Sequence, residues 1–286
     1  MRRRLESLWT DKSMSKRDVL RREQERESLK MKRRKITYVA VGVLALSLII
    51  VGTVLAINKS RQGPAIETSQ GTISKAIVSI PKSVYDKVGP GSSELQITKT
   101  GNKPDRDGKV KLFYVGSEFC PFCAMERLPL AAALSRFGTF SGLEDTLSSP
   151  AEKELFNIPT ITFRNYKYSS KYVDLDAYEL ADREGRQIAS LPESKKDIFS
   201  KYNPEGGIPF AYWGDITTSN PSYTPWMARE DPKNVVKALS NPNSKEAQAI
   251  VGGANLFTAE ICSRTGNKPT NVCTSPGVKA AAKKLK

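Results

Sequence analysis

Twenty-two consecutive residues without a charge, Ile36 to Ile57 (ITYVAVGVLALSLIIVGTVLAI), divide this chain before any fold can be considered. As an α-helix rising about 1.5 Å per residue, the run spans about 33 Å, which matches a hydrocarbon core of about 30 Å. It is apolar on every face, unlike a helix that turns one stripe toward a protein core. Lys32, Arg33, Arg34 and Lys35 abut it. A cleaved signal peptide is the competing reading, but the 35-residue leader and the length of the run favour an uncleaved anchor. Residues 1–35 hold 14 Lys/Arg against 6 Asp/Glu, a net of +8 out of the chain's +15. The positive-inside rule then keeps this tail in the cytoplasm and places the chain beyond the span outside. The expected organisation is a cytoplasmic basic tail (1–35), a transmembrane signal-anchor helix (36–57), a polar stalk (58–70) and an extracytoplasmic domain (71–286). Because topology accounts for the dense basic block, a nucleic-acid partner is not expected. The membrane is the partner of residues 36–57.

The 286 residues include no histidine. That excludes Ser-His-Asp and Cys-His catalysis and removes the commonest metal ligand. Cysteine, carboxylate, lysine, tyrosine and backbone groups remain, and no cofactor is implied. The four cysteines fall into two pairs, Cys120/Cys123 and Cys262/Cys273. An even count in an exported chain points to oxidised pairs, and proximity in sequence favours bonding within each pair.

Lys109 to Gly116 (KVKLFYVG) is rich in β-branched and aromatic residues and reads as a strand. Cys120-Pro121-Phe122-Cys123 follows, and then AMERLPLAAALSRFG with the apolar spacing of a helix. Pro129 inside that run predicts a kink or a local break. Further strands are expected at Pro159–Tyr166, at 171–180 and at Ile208–Trp213, the last opened by Pro209. Helices are expected at Pro192–Tyr202 and over 232–261, the latter interrupted by Pro242 and Gly252-Gly253. The order strand, Cys-x-x-Cys, helix, strand, helix, Pro-strand, helix predicts an α/β domain around a central sheet, with insertions.

A strand that delivers Cys120 to a helix start places its sulfur among first-turn N–H groups, where negative charge is favoured and a thiol pKa falls. Cys123 lies one turn on, within reach to resolve a mixed disulfide. Pro121 suits a first helical position. The spacing thus makes Cys120 an exposed attacking thiolate and Cys123 a more buried resolving thiol. Two other readings of the motif stay open. One is a static structural disulfide. The other is a thiolate metal site, either zinc completed by Cys262 and Cys273 or copper held by the pair. The ten residues between Cys262 and Cys273 are unlike a zinc knuckle, so no metal ligand is assigned. That second pair reads as a structural disulfide around a turn-rich loop, with a second redox relay as its alternative. Glu126 lies three residues past Cys123 and could move the resolving thiol's proton, although a solvated or Arg127-paired carboxylate is the plainer reading. Glu118 is open in the same way.

The strand, Cys-Pro-Phe-Cys and the later Gly-Ile-Pro-Phe resemble the thioredoxin superfamily. More closely, VGSEFCPFCAMERLPLAAALSRFGTFSGL, IPTITFRNYKYSSKY and AEICSRTGNKPTNVC are similar to the thioredoxin-like family called domain of unknown function 929, over most of residues 75–275. The resemblance implies a thioredoxin-like fold with insertions and an anchored, exported location. It also implies a cis-proline that precedes a strand and faces the dithiol, with the residue before it pairing an extended substrate. Pro209 matches that position, and Pro159 is its rival. Leu128-Pro129 depart from the pattern, standing where a bulky aromatic is expected after Glu126-Arg127.

The resulting expectation is an extracytoplasmic thiol–disulfide oxidoreductase acting on protein thiols and disulfides, with Cys120, Cys123 and Pro209 at its site. An unidentified membrane redox partner would recycle it. The alternatives are a non-catalytic binding or assembly protein of the same fold and a thiolate metal carrier.

Overall fold

The computed structural model describes residues 72–104, 108–219 and 225–286. The tail, the span at 36–57 and the stalk expected from the sequence lie outside them. No helix among the described residues is long and apolar enough to cross a membrane.

Two short helices come first, α1 (Thr72–Val78) and α2 (Lys82–Val88), divided at Pro81. β1 (Gln96–Lys99) and β2 (Val110–Gly116) precede the long helix α3 (Pro121–Leu134). Five strands follow: β3 (Gly138–Ser141), β4 (Glu144–Leu147), β5 (Pro159–Thr162), β6 (Lys167–Ser170) and β7 (Val173–Glu179). The chain continues through α4 (Glu193–Tyr202), β8 (Phe210–Tyr212), β9 (Ile216–Ser219) and α5 (Pro232–Leu239). It ends in α6 (Lys245–Arg264), α7 (Thr270–Cys273) and α8 (Pro276–Lys284).

The α/β class expected from the sequence is the one observed. A five-stranded mixed sheet has the order β1-β9-β8-β2-β7. β2 runs parallel to β7, with Gly116 opposite Glu179, and antiparallel to β8. Side chains on a strand alternate between faces, and β2 uses both. Leu112 and Tyr114 join the large core built with α3 and α6, whereas Phe113 and Val115 join a smaller cluster under Ile198, Phe199 and Tyr202 of α4. Burial on both faces explains why β2 reads as a continuous apolar run.

Several local expectations are corrected. The strand expected over 159–166 stops at Thr162 and pairs with β4 outside the central sheet. The reason is a turn: Thr162 Oγ1 accepts the Arg164 N–H at 3.1 Å, and the chain reverses into β6. The parallel neighbour of β2 is β7 instead. α3 continues through Pro129 as one element. It is buried around nearly its whole circumference, including Leu128 and Leu130, so packing carries it where propensity does not. The same burial accommodates Leu128-Pro129 in place of an aromatic. Gly252-Gly253 does not interrupt α6. A Cβ on Gly252 would lie 2.6 Å from the Pro90 carbonyl oxygen, so the glycine admits the close passage of the 89–91 segment. The break after α5 is real. α6 restarts at Ser244, whose Oγ accepts the Ala247 N–H at 3.0 Å.

Candidate dithiol site

The buried end of β2 runs into Ser117, and the Cys120 N–H donates to the Ser117 carbonyl at 3.2 Å, closing a tight turn. Cys120 is the N-cap of α3, with extended backbone (φ −71°, ψ 121°), and Pro121 opens the helix. The Cys120 sulfur accepts the Cys123 N–H at 3.1 Å. The sulfur therefore takes the role that a serine or aspartate oxygen usually has, satisfying a first-turn donor. Both thiols are unbonded to other cysteines.

The exposure pattern differs from expectation. Cys120 is only 4% exposed, Cys123 is 0% exposed, and Phe122 between them is 48% exposed. Cys120 is covered partly by the segment before β8: its thiol points at the Ile208 carbonyl, 3.7 Å away. The Ile208–Pro209 peptide is cis, so the structure brings Pro209 beside the dithiol. Pro159, the rival, begins β5 opposite Leu147 and has no cis bond. Asn203 holds the Gly206-Gly207 turn in this segment by donating Nδ2–H to the Gly207 carbonyl at 2.7 Å.

The two thiols are driven apart electrostatically. The Cys120 pKa is lowered, chiefly by hydrogen bonding from Cys123 against the opposing effect of burial, with help from the Phe122 and Cys123 amides and from Arg127. The Cys123 pKa is pushed well up, first by burial and then by its bond to Cys120. The arrangement favours negative charge on the outer sulfur and holds the proton on the inner one, a division that thiol–disulfide exchange can use.

Beneath the pair lies a feature that sequence reasoning missed. Arg127, one turn past Cys123, is fully buried and donates Nη1–H to Glu179 Oε2 at 2.8 Å; Glu179, at the end of β7, is also 0% exposed at its side chain. The same nitrogen reaches the Ser117 carbonyl at 3.3 Å. Arg127 Nε and Nη2, Glu179 Oε1 and Tyr114 OH have no hydrogen-bond partner among the described residues. The usable signal was the i, i+4 spacing of Cys123 and Arg127; nothing local marks Glu179. Glu126 is fully buried rather than solvated, and its charge acts on Tyr114. Glu118 is buried and accepts from the Thr162 hydroxyl at 2.7 Å.

Cys262 and Cys273 form a disulfide, with Cα atoms 5.5 Å apart, that ties the end of α6 to α7. Each is thereby withdrawn from a tetrathiolate zinc site with Cys120 and Cys123.

The model of a family described as a domain of unknown function (DUF929) matches residues 99–263. The match takes in the dithiol, Arg127, Glu179, Pro209 and Cys262 but stops short of Cys273. No curated protein and no solved structure matches the chain.

Proposed function

Because this chain belongs to the DUF929 family, a grouping that carries no activity, we propose from the site itself that it is a membrane-anchored, extracytoplasmic thiol–disulfide oxidoreductase with a thioredoxin-like core. One observation carries the reading: Cys120 Sγ caps α3 at 3.1 Å from the Cys123 N–H while Cys123 is sealed below. A structural disulfide would need no such division between a stabilised thiolate and a protonated partner.

In the reducing direction, the Cys120 thiolate attacks a protein disulfide and expels one substrate sulfur as a thiolate, which takes up a proton. Cys123 loses its proton and attacks the Cys120 sulfur of the mixed disulfide. The second substrate thiolate leaves, and the Cys120–Cys123 disulfide remains. The oxidising direction is the reverse, and a membrane redox partner resets the pair. The Ile208 carbonyl beside Cys120 offers backbone hydrogen bonding to an extended substrate. Pro209 fixes its direction. The uncharged run at 36–57 and the basic tail support the anchored, outward-facing placement.

The test is reduction of insulin by the full chain with dithiothreitol as electron source. Wild-type protein accelerates it and Cys120→Ser abolishes the acceleration; equal rates for the two would remove the reading. A second reading is favoured by the 4% exposure of Cys120: a binding or assembly protein whose dithiol is structural. Under it, a Cys120→Ala/Cys123→Ala variant behaves in cells as wild type does.

A further inference from the structure

An ion pair with both side chains at 0% exposure is a poor source of stability. Desolvating two charges costs several kcal/mol per ion, and an apolar pair of similar volume does as well or better. Arg127 and Glu179 form such a pair, and four polar atoms in and around it lack hydrogen-bond partners among the described residues. Packing does not require this arrangement, and its position suggests what does. Cys123 and Arg127 are four residues apart on α3, hence on one helix face. Arg127 Nη1 also holds the Ser117 carbonyl, which accepts the Cys120 N–H. The guanidinium therefore sits under both thiols, with Nε–H and Nη2–H groups committed to nothing else among the described residues.

We propose that Arg127, held in place by Glu179, is the counter-cation for the Cys123 thiolate that forms when the mixed disulfide is resolved. The proposal rests on the oxidoreductase reading and adds the group that makes its second step possible. Resolution requires charge on a sulfur that is fully buried. During that step Cys120 is bonded to substrate and carries no charge, so the Cys120 anion that opposes ionisation of Cys123 is gone. What then faces Cys123 is Arg127 on its own helix, Glu179 on β7 and Tyr114 on β2, with Glu126 acting on Tyr114 and Glu118 on Glu179. Arg127 is the one cation in this set. It stays charged because, although burial works against it most, Glu179 first and then Tyr114 and Cys123 together more than compensate. Glu179 thus both secures the cation and partly cancels it. The proton leaving Cys123 ends in solvent, and the electrons stay in the sulfur–sulfur exchange. Arg127 is a positioning residue and breaks no bond.

Removing Glu179 alone and removing the whole pair should shift resolution in opposite directions, which damage to the fold would not do. Full-length reduced protein is mixed with dithiobis-nitrobenzoate, and release of thionitrobenzoate is followed against pH. The first equivalent reports attack by Cys120 and the second reports resolution by Cys123. In Glu179→Gln the second phase quickens and its pH midpoint falls. In Arg127→Met/Glu179→Leu, which removes both charges together, the second phase slows by about tenfold and its midpoint rises by about one pH unit. Arg127→Lys, with Glu179 intact, keeps part of the rate. The first phase changes less than the second in every variant. Unshifted second-phase midpoints in variants that remain folded by circular dichroism, beside a normal biphasic wild type, overturn this inference and leave the oxidoreductase reading standing. Absence of a second phase in the wild type overturns both.

Discussion

Cys120 and Cys123 share one helical turn yet their pKa values are shifted in opposite directions, and this difference makes the stability of the reduced protein depend on pH. The lowered Cys120 pKa stabilises the folded state above the unfolded thiol value, and that contribution is lost as pH falls through the folded value. The raised Cys123 pKa works the other way: its contribution is present below the unfolded value and is lost as pH rises toward the folded one. The reduced protein, compared with a form oxidised at Cys120–Cys123, should therefore be relatively most stable near the unfolded thiol pKa of about 8.5. Melting temperatures of both forms across pH 6 to 10, roughly the range between ordinary His and Tyr values, check this; a difference that does not vary with pH contradicts it. The deeper residues have their own signature. Arg127→Met strands the Glu179 carboxylate and should cost about 3–5 kcal/mol in urea unfolding, whereas Arg127→Met/Glu179→Leu should cost far less. The placement of Cys120 at a helix start with Cys123 buried one turn on was legible because strand, motif and helix follow one another in the chain. Arg127 and Glu179 were not, because they meet across 52 residues of chain and no pattern at either position announces the other.

At the scale of elements, the sequence made legible whatever depends on neighbours in the chain. β2 and α4 appear where composition and spacing put them. The expectations that failed were those decided by distant segments. Proline and glycine lower helix propensity, so Pro129 and Gly252-Gly253 predicted breaks. Tertiary packing overrides both, in α3 through burial and in α6 through the passage of Pro90 and Gly91. The two-stranded pairs β3–β6 and β4–β5 were missed because each strand has only four residues and pairs after an intervening segment. The Gly252 contact supplies a test. Gly252→Ala removes helix-disfavouring entropy but sets its methyl against a backbone oxygen that cannot swing away. The clash should dominate, with a loss of about 1–3 kcal/mol by urea unfolding. A neutral or stabilising outcome would show that the 89–91 segment yields freely. The reactivity of Cys120 should be unchanged, since neither α6 nor that segment supplies the cap.

For the whole molecule, two features divide structure from chemistry. The Cys262–Cys273 bond closes a short loop at the end of α6, and in the chain-entropy model such a closure is worth about 3 kcal/mol. Cys262→Ala/Cys273→Ala should lose that much stability while its two-phase reaction with dithiobis-nitrobenzoate keeps the wild-type pH midpoints. A shift in either midpoint would instead join the second pair to the redox chemistry. The other division is the membrane, on which the functional proposal depends for its partner and its oxidant or reductant. A basic tail with a net +8 before a 22-residue uncharged run should hold the N-terminus inside and carry the domain out. Cys120 is too covered to report sidedness by itself. Lys171, exposed between β6 and β7, is a better site. With Cys120 and Cys123 replaced by serine, Lys171→Cys should react with a membrane-impermeant maleimide on intact cells, and Ser7→Cys should react only after the membrane is opened. The reverse pattern would place the dithiol in a compartment where glutathione and thioredoxin keep thiols reduced. The pair would then serve as a cytoplasmic reductant or sensor, and the Cys262–Cys273 bond would have to persist against that pool.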